Sequence, residues 1–138
     1  QSIPEARGLL VQEFISGEIE ALVGLTREAQ FGPVVTIGSG GTLVELLDDV
    51  ACGVVPLDTS DVDAMLAEVK LSRRLNGYRG APLADVAAYR NLVLRIAKLA
   101  ELLPELAELD LNPVRVLPAG QGVVAVDARL RVRPVVTR

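Results

Sequence analysis

Asn112 and Asp127 are the residues from which chemistry is most readily built. Residues 107–117 and 123–132 read as two strands joined by the turn Pro118-Ala119-Gly120-Gln121. If that turn pairs Leu117 with Gly122, Asn112 falls opposite Asp127 and Asp110 opposite Arg129 on one polar face. Leu109, Leu111, Val126, Ala128 and Leu130 then share the other, as core alternation requires. Opposed Cβ atoms sit ~4.5–5.5 Å apart, so an amide oxygen and a carboxylate there can reach one hard cation. Few protein oxygens, with the other positions left to water and phosphate, is how magnesium sits beside a nucleotide. The same pattern also suits a solvated hairpin face with an Asp–Arg cross-strand pair, and a bulge at Pro113 would shift the register.

A second candidate is Gly38-Ser39-Gly40-Gly41, running straight into Thr42-Leu43-Val44-Glu45, which has capping-box spacing. Glycines let backbone N–H groups approach an anion, and a helix N-terminus adds unpaired donors. The Lys-Ser/Thr ending of a Walker A loop is missing, and a tight strand-to-helix turn explains the glycines equally well. A third is Gln12-Glu13-Phe14-Ile15 with Glu18 and Glu20. The two last carboxylates share a strand face and could bind ribose hydroxyls, although exposed strands carry such residues routinely. Asp48-Asp49 and Asp61/Asp63 read as solvated helix ends.

These groups need a scaffold, and 138 residues supply about one domain of the usual ~150. Half of the residues are hydrophobic, which is enough for a core and excludes disorder. Aromatics are 3%, and the net charge is -4, so a base-stacking nucleic-acid platform is excluded as well. With no His and only Cys52, the chain has no zinc site, no Ser-His-Asp triad, no internal disulfide and no phosphohistidine of its own; a lone thiol points to the cytoplasm. No stretch nears the ~18 apolar residues of a membrane span. The sequence begins at Gln1 rather than Met and Ile3-Pro4-Glu5 reads as a linker, so a piece of a longer protein is expected.

Strands are expected at 9–15, 18–25, 34–37 and 53–57, with a polar connection at 26–33. A helix follows Thr42, a second runs from a Ser60 cap to Leu75, and the longest runs from an Asp85 cap to Leu103, ended by Pro104. Strands, helix, strand, two helices and strands imply an α+β layer of mostly antiparallel sheet packed on helices.

Read in order, QEF, GEIEALVG, FGPVVTIGSGGTLVELLDDV, LNGYRG, ELDLNPV and GVVAVDARLRV resemble the C-terminal part of the ATP-grasp domain in NDP-forming acyl-CoA (acetate–CoA) synthetases. NP followed by DA is similar to the magnesium pair of the succinyl-CoA synthetase β subunit. The resemblance implies a C-terminal ATP-grasp subdomain over 8–133, between a linker at 1–7 and a tail at 134–138. It implies Mg²⁺ on Asn112 and Asp127, adenine against Gln12, Glu13, Phe14 and Ile15, and ribose on Glu20. Phosphates or an incoming phosphohistidine loop would face Gly38, Gly40 and Gly41.

Such ligases make acyl-CoA, ADP and phosphate from acid, CoA and ATP, reversibly, through acyl phosphate and a phosphorylated His. Here the lysines are Lys70 and Lys98, both in expected helices, and the carrier His is absent. The remaining ATP-grasp subdomain and the CoA-binding domains are therefore implied as partners, in the same protein or complex. The isolated chain is expected to fold, to bind Mg-nucleotide poorly and to catalyse nothing. Two other readings stand beside this: a ligase-like regulatory module fused to a GNAT-type acetyltransferase through the Arg-rich end 129–134, and a purely structural α+β domain.

Overall fold

Along residues 19–28 the side chains alternate as a half-covered strand must: Ile19, Ala21, Val23 and Leu25 are buried, whereas Glu20, Gly24 and Thr26 are more open. In the computed structural model, which describes residues 8–17, 19–41 and 48–134, this segment is β1 (Ile19–Glu28). It lies at the centre of a six-stranded sheet. β2 (Gly32–Ser39) and β4 (Leu106–Val116) flank it, both antiparallel. β3 (Val50–Val54) pairs with β2 on one side, while β5 (Val123–Ala125) and β6 (Ala128–Val132) pair with β4 on the other.

The helices are α1 (Thr59–Glu68), α2 (Leu71–Leu75) and α3 (Val86–Leu102). They share one core with the sheet, in which Val23, Ile37 and Val114 join Val62, Tyr89 and Val93. Fully burying such a side chain is worth ~1.5–3 kcal/mol. The α+β arrangement is therefore the one expected. The opposite sheet face carries Glu20, Thr36, Cys52, Asp110 and Asn112, and no described helix covers it.

Within the core, the Tyr89 hydroxyl donates to the Leu22 carbonyl at 2.6 Å, and burial pushes the phenol well above its ordinary pKa. Tyr89→Phe takes a donor from a buried carbonyl, so urea unfolding is expected to show a loss of ~1–2 kcal/mol. An unchanged midpoint would contradict that contribution.

Several expectations are corrected, among them the polar connection at 26–33, which β1 and β2 shorten to 29–31. The strand at 9–15 does not form: residues 8–17 carry neither helix nor strand, and Leu9, Leu10, Val11 and Phe14 are exposed. An apolar run becomes a strand only beside a partner edge, and both edges of the neighbouring β1 are taken by β2 and β4. The helix expected from Ser60 to Leu75 is two helices. Asp58 caps the first, accepting from the Asp61 N–H at 3.0 Å while Asp61 accepts from the Asp58 N–H at 2.8 Å.

The strand expected at 53–57 lies at Val50–Val54, and 123–132 divides at Val126 and Asp127. β6 buries nothing: Leu130 and Val132 are 64% and 62% exposed, because this edge strand lies beyond the helices. Asp85 does cap α3, accepting from the Ala88 N–H at 3.0 Å. The helix expected after Thr42, with Thr42-Leu43-Val44-Glu45, lies outside the described residues, as does Glu18.

Candidate functional site

The hairpin keeps the register that its turn sets. Val116 faces Val123, Val114 faces Ala125 and Asp110 faces Arg129. Between them the Asn112 N–H donates to the Asp127 carbonyl at 3.3 Å and the Val126 N–H to the Pro113 carbonyl at 3.0 Å. Pro113 does introduce an irregularity, but on the other side of the strand. Ala21 faces Val114 whereas Val23 faces Leu111, so the extra residue lies between β4 and β1. Proline has no N–H to give that ladder; on the hairpin side the partner strand breaks at Val126 and Asp127, with the same register before and after the break. The register on either side and the Asn112 N–H bond to the Asp127 carbonyl set these two residues across from each other at that break.

The glycine turn reaches the same place. After β2 the Ser39 N–H donates to the Asp49 carbonyl at 3.1 Å and the Gly40 N–H to the Glu20 carbonyl at 2.9 Å. The Gly41 N–H then donates to Asn112 Oδ1 at 2.9 Å. Only glycine fits at two of these positions: a Cβ on Gly40 would collide with the Ala21 carbonyl, and one on Gly38 with the Asp49 carbonyl. Gly41, at φ +93°, leaves room for the Glu20 carboxylate. The amides of Ser39, Gly40 and Gly41 are therefore all engaged within the chain.

Glu20 is held by Arg115, its partner across β1 and β4, with Nη2 2.8 Å from Oε1; the same guanidinium donates to the Gly17 carbonyl. Glu20, Gly40, Gly41 and Asn112 therefore meet on one surface, with Asp127 across the strand pair. Gln12, Glu13, Phe14 and Ile15 lie in the irregular segment before β1, and no hydrogen bond among the described residues ties their side chains to this surface.

Asp49 departs from its expected solvated role. It is 6% exposed and accepts from Ser39 Oγ at 2.6 Å, from the Lys70 N–H at 2.5 Å and from the Leu71 N–H at 2.9 Å. Burial raises its pKa, but the hydrogen bonds from Ser39, Lys70 and Leu71 outweigh this and hold the carboxyl below its ordinary value. The amides it takes are those of the break between α1 and α2, where Val69 is extended. Sequence carried no sign of this, or of the Glu20–Arg115 pair, because the partners are far apart along the chain.

The donor set fits magnesium. Asn112 Oδ1 has a second lone pair besides the one the Gly41 amide uses, and the Asp127 side chain is 55% exposed. The nearest described cation to Asp127 is Arg129, at 3.8 Å on an edge strand with its side chain 82% exposed, which is too loose to occupy the carboxylate. Among the described residues no three His, Cys, Asp or Glu side chains converge, so an all-protein cage of the zinc or calcium kind is not built. Two oxygens open to solvent and phosphate are what magnesium uses.

Known proteins share the sequence and the fold of this chain. The family description "ATP-grasp domain" matches residues 2–132. An ADP-forming acetate–CoA ligase I of Archaeoglobus fulgidus is 44% identical over 124 residues, covering 88% of this chain and 18% of the ligase. The β subunit of the ADP-forming acetate–CoA ligase II of Pyrococcus furiosus is 37% identical over 127 residues, 91% of this chain and 54% of the subunit. The chain thus spans about half or less of these relatives' length. A solved dinucleotide-forming acetyl-coenzyme A synthetase 1 of Candidatus Korarchaeum cryptofilum superposes with a TM-score of 0.84 at 41% identity, over 88% of this chain and 56% of that one. That protein holds coenzyme A and Mg-AMPPCP, with its phosphohistidine segment pointing towards the nucleotide-binding site.

Proposed function

The chain belongs to the ATP-grasp domain family, and from that premise we propose that it is the nucleotide- and magnesium-binding part of an NDP-forming acyl-CoA synthetase. The whole protein would be an acid–thiol ligase, converting acid, CoA and ATP reversibly into acyl-CoA, ADP and phosphate. The observation that carries the reading is the meeting of Glu20, the glycine turn and Asn112 on one open face, with Asp127 directly across the strand pair. Residues 8–133 would form the subdomain, between a linker at 1–7 and a tail at 134–138.

Asn112 Oδ1 and the Asp127 carboxylate would hold Mg²⁺, which when bound would neutralise charge on the phosphate oxygens. Arg115 fixes one oxygen of Glu20 and leaves the other to accept a ribose hydroxyl. Gly38, Gly40 and Gly41 would face the phosphates, and Gln12 to Ile15 would close on adenine. Phosphoryl transfer asks for positioning and charge more than for covalent work, so this face need not supply a general base.

Of the two lysines, Lys70 lies at the break between α1 and α2, and Lys98 pairs with Glu101. The cations that grip ATP, the phosphoryl-carrying His and the CoA site are proposed to come from the remaining ATP-grasp subdomain and the CoA-binding domains. An exposed free thiol on Cys52 suits a cytoplasmic setting, and no helix among the described residues is long and apolar enough to cross a membrane. The ligase names of the relatives favour this reading over a regulatory module. Calorimetry of ATP-analogue binding to the protein that carries this chain tests it. Removing magnesium with EDTA is expected to weaken binding at least tenfold, and equal affinity with and without the metal would contradict the reading.

A further inference from the structure

We infer that Ser39 and Asp49 are positioning residues for the metal pair, acting through the Gly41 amide on the side chain of Asn112; this rests on the magnesium reading above. An asparagine side chain ends in an oxygen and a nitrogen of nearly the same shape, and only the oxygen can ligate a hard cation. The Gly41 N–H is a donor, so it selects the oxygen end, and its 2.9 Å bond to Oδ1 leaves the second lone pair of that atom for a metal. The glycine turn therefore orients a ligand, which is a different task from cradling a phosphate.

The position of that amide is set one residue at a time. The Gly40 N–H is tied to the Glu20 carbonyl, the Ser39 N–H to the Asp49 carbonyl, and Ser39 Oγ to Asp49 Oδ2. Asp49 is in turn fixed by the amides of Lys70 and Leu71 and is buried. A turn containing three glycines has little stiffness of its own, so this buried carboxylate supplies it. The path runs from the start of α2 through Asp49, Ser39, Gly40 and Gly41 to Asn112, with a hydrogen bond or a peptide bond at each link. Outer partners of this kind change metal affinity when removed, typically 10–100-fold.

The experiment is a Mg²⁺ titration, followed by calorimetry with a non-hydrolysable ATP analogue, on the full protein and its variants, with thermal melting alongside. Ser39→Ala removes one side-chain link and leaves the Ser39 N–H bond to Asp49, so the protein folds. Its apparent Mg²⁺ affinity is expected to fall about tenfold, while analogue binding in EDTA stays as in wild type. Asp49→Asn, which puts a donor against one of the three donors Asp49 now satisfies, is expected to lose more. Arg27→Ala is the stability control. Arg27 donates to the Leu106 and Leu103 carbonyls at the far end of β1, so its loss lowers the melting temperature with Mg²⁺ affinity unchanged. If Ser39→Ala behaves as Arg27→Ala does, the inference is overturned and the magnesium reading survives. If Asn112→Ala itself leaves the Mg²⁺ dependence intact, the magnesium reading fails, and this inference with it.

Discussion

Asp127→Ala, in the protein that carries this chain, should lower magnesium-dependent nucleotide affinity by about 100-fold or more, with the hairpin still folded. The magnitude follows from the charge: Asp127 is the one carboxylate of a two-oxygen site, and loss of a ligand exceeds the 10–100-fold typical of outer partners. The fold is spared because the strand pairing uses the backbone carbonyl of Asp127, which accepts from the Asn112 N–H, and because its side chain is half exposed. Asn112→Ala should give a comparable loss with a small added cost in stability, since the Gly41 N–H loses its acceptor. Asn112→Asp keeps an oxygen for both the amide and the metal and should stay near wild type. Calorimetry with circular dichroism checks all three, and wild-type binding by both alanine variants would make the hairpin a solvated face.

The second large effect is on stability. Asp49→Ala strands three donors, the Ser39 hydroxyl and the Lys70 and Leu71 amides, in a buried place. At about 1 kcal/mol or more for each, the expected loss is ~3 kcal/mol, or roughly 10 °C in melting temperature for a domain of this size. The same carboxylate makes the fold acid-sensitive. Its folded pKa lies below the ordinary 3.8, because the hydrogen bonds from Ser39, Lys70 and Leu71 outweigh burial, so the unfolded chain takes up the proton more readily. Its contribution is complete above about pH 5, erodes as pH falls past 3.8 and is gone below the folded pKa. Urea melts from pH 7 to pH 2 should show a shallower acid limb in Asp49→Ala; parallel limbs would contradict this assignment.

Much of the site could be read locally, and the reason is visible in particular residues. The register of Asn112 against Asp127 follows from one short turn and period-two alternation, which act over a few residues. The Asp85 cap and the run of α3 are local in the same way. What escaped is non-local. Asp49 interrupts a helical pattern that runs on past Val69 by taking the amides of Lys70 and Leu71 from 21 and 22 residues away. Arg115 finds Glu20 only once β4 lies beside β1, a pairing across most of the chain. The run LLVQEFI has strand composition but no partner edge, and Leu130 has strand alternation but no helix above it. Periodicity states which side chains want cover and not whether cover arrives.

The central claim is that Asn112 and Asp127 together hold the magnesium of a bound nucleotide. Anomalous diffraction locates that ion directly, in crystals of the full protein grown with Mn²⁺ in place of Mg²⁺ and a non-hydrolysable ATP analogue. The account predicts a peak about 2 Å from both Asn112 Oδ1 and an Asp127 carboxylate oxygen, with phosphate oxygens completing its shell. A peak bound by the nucleotide but ligated by neither residue would contradict it.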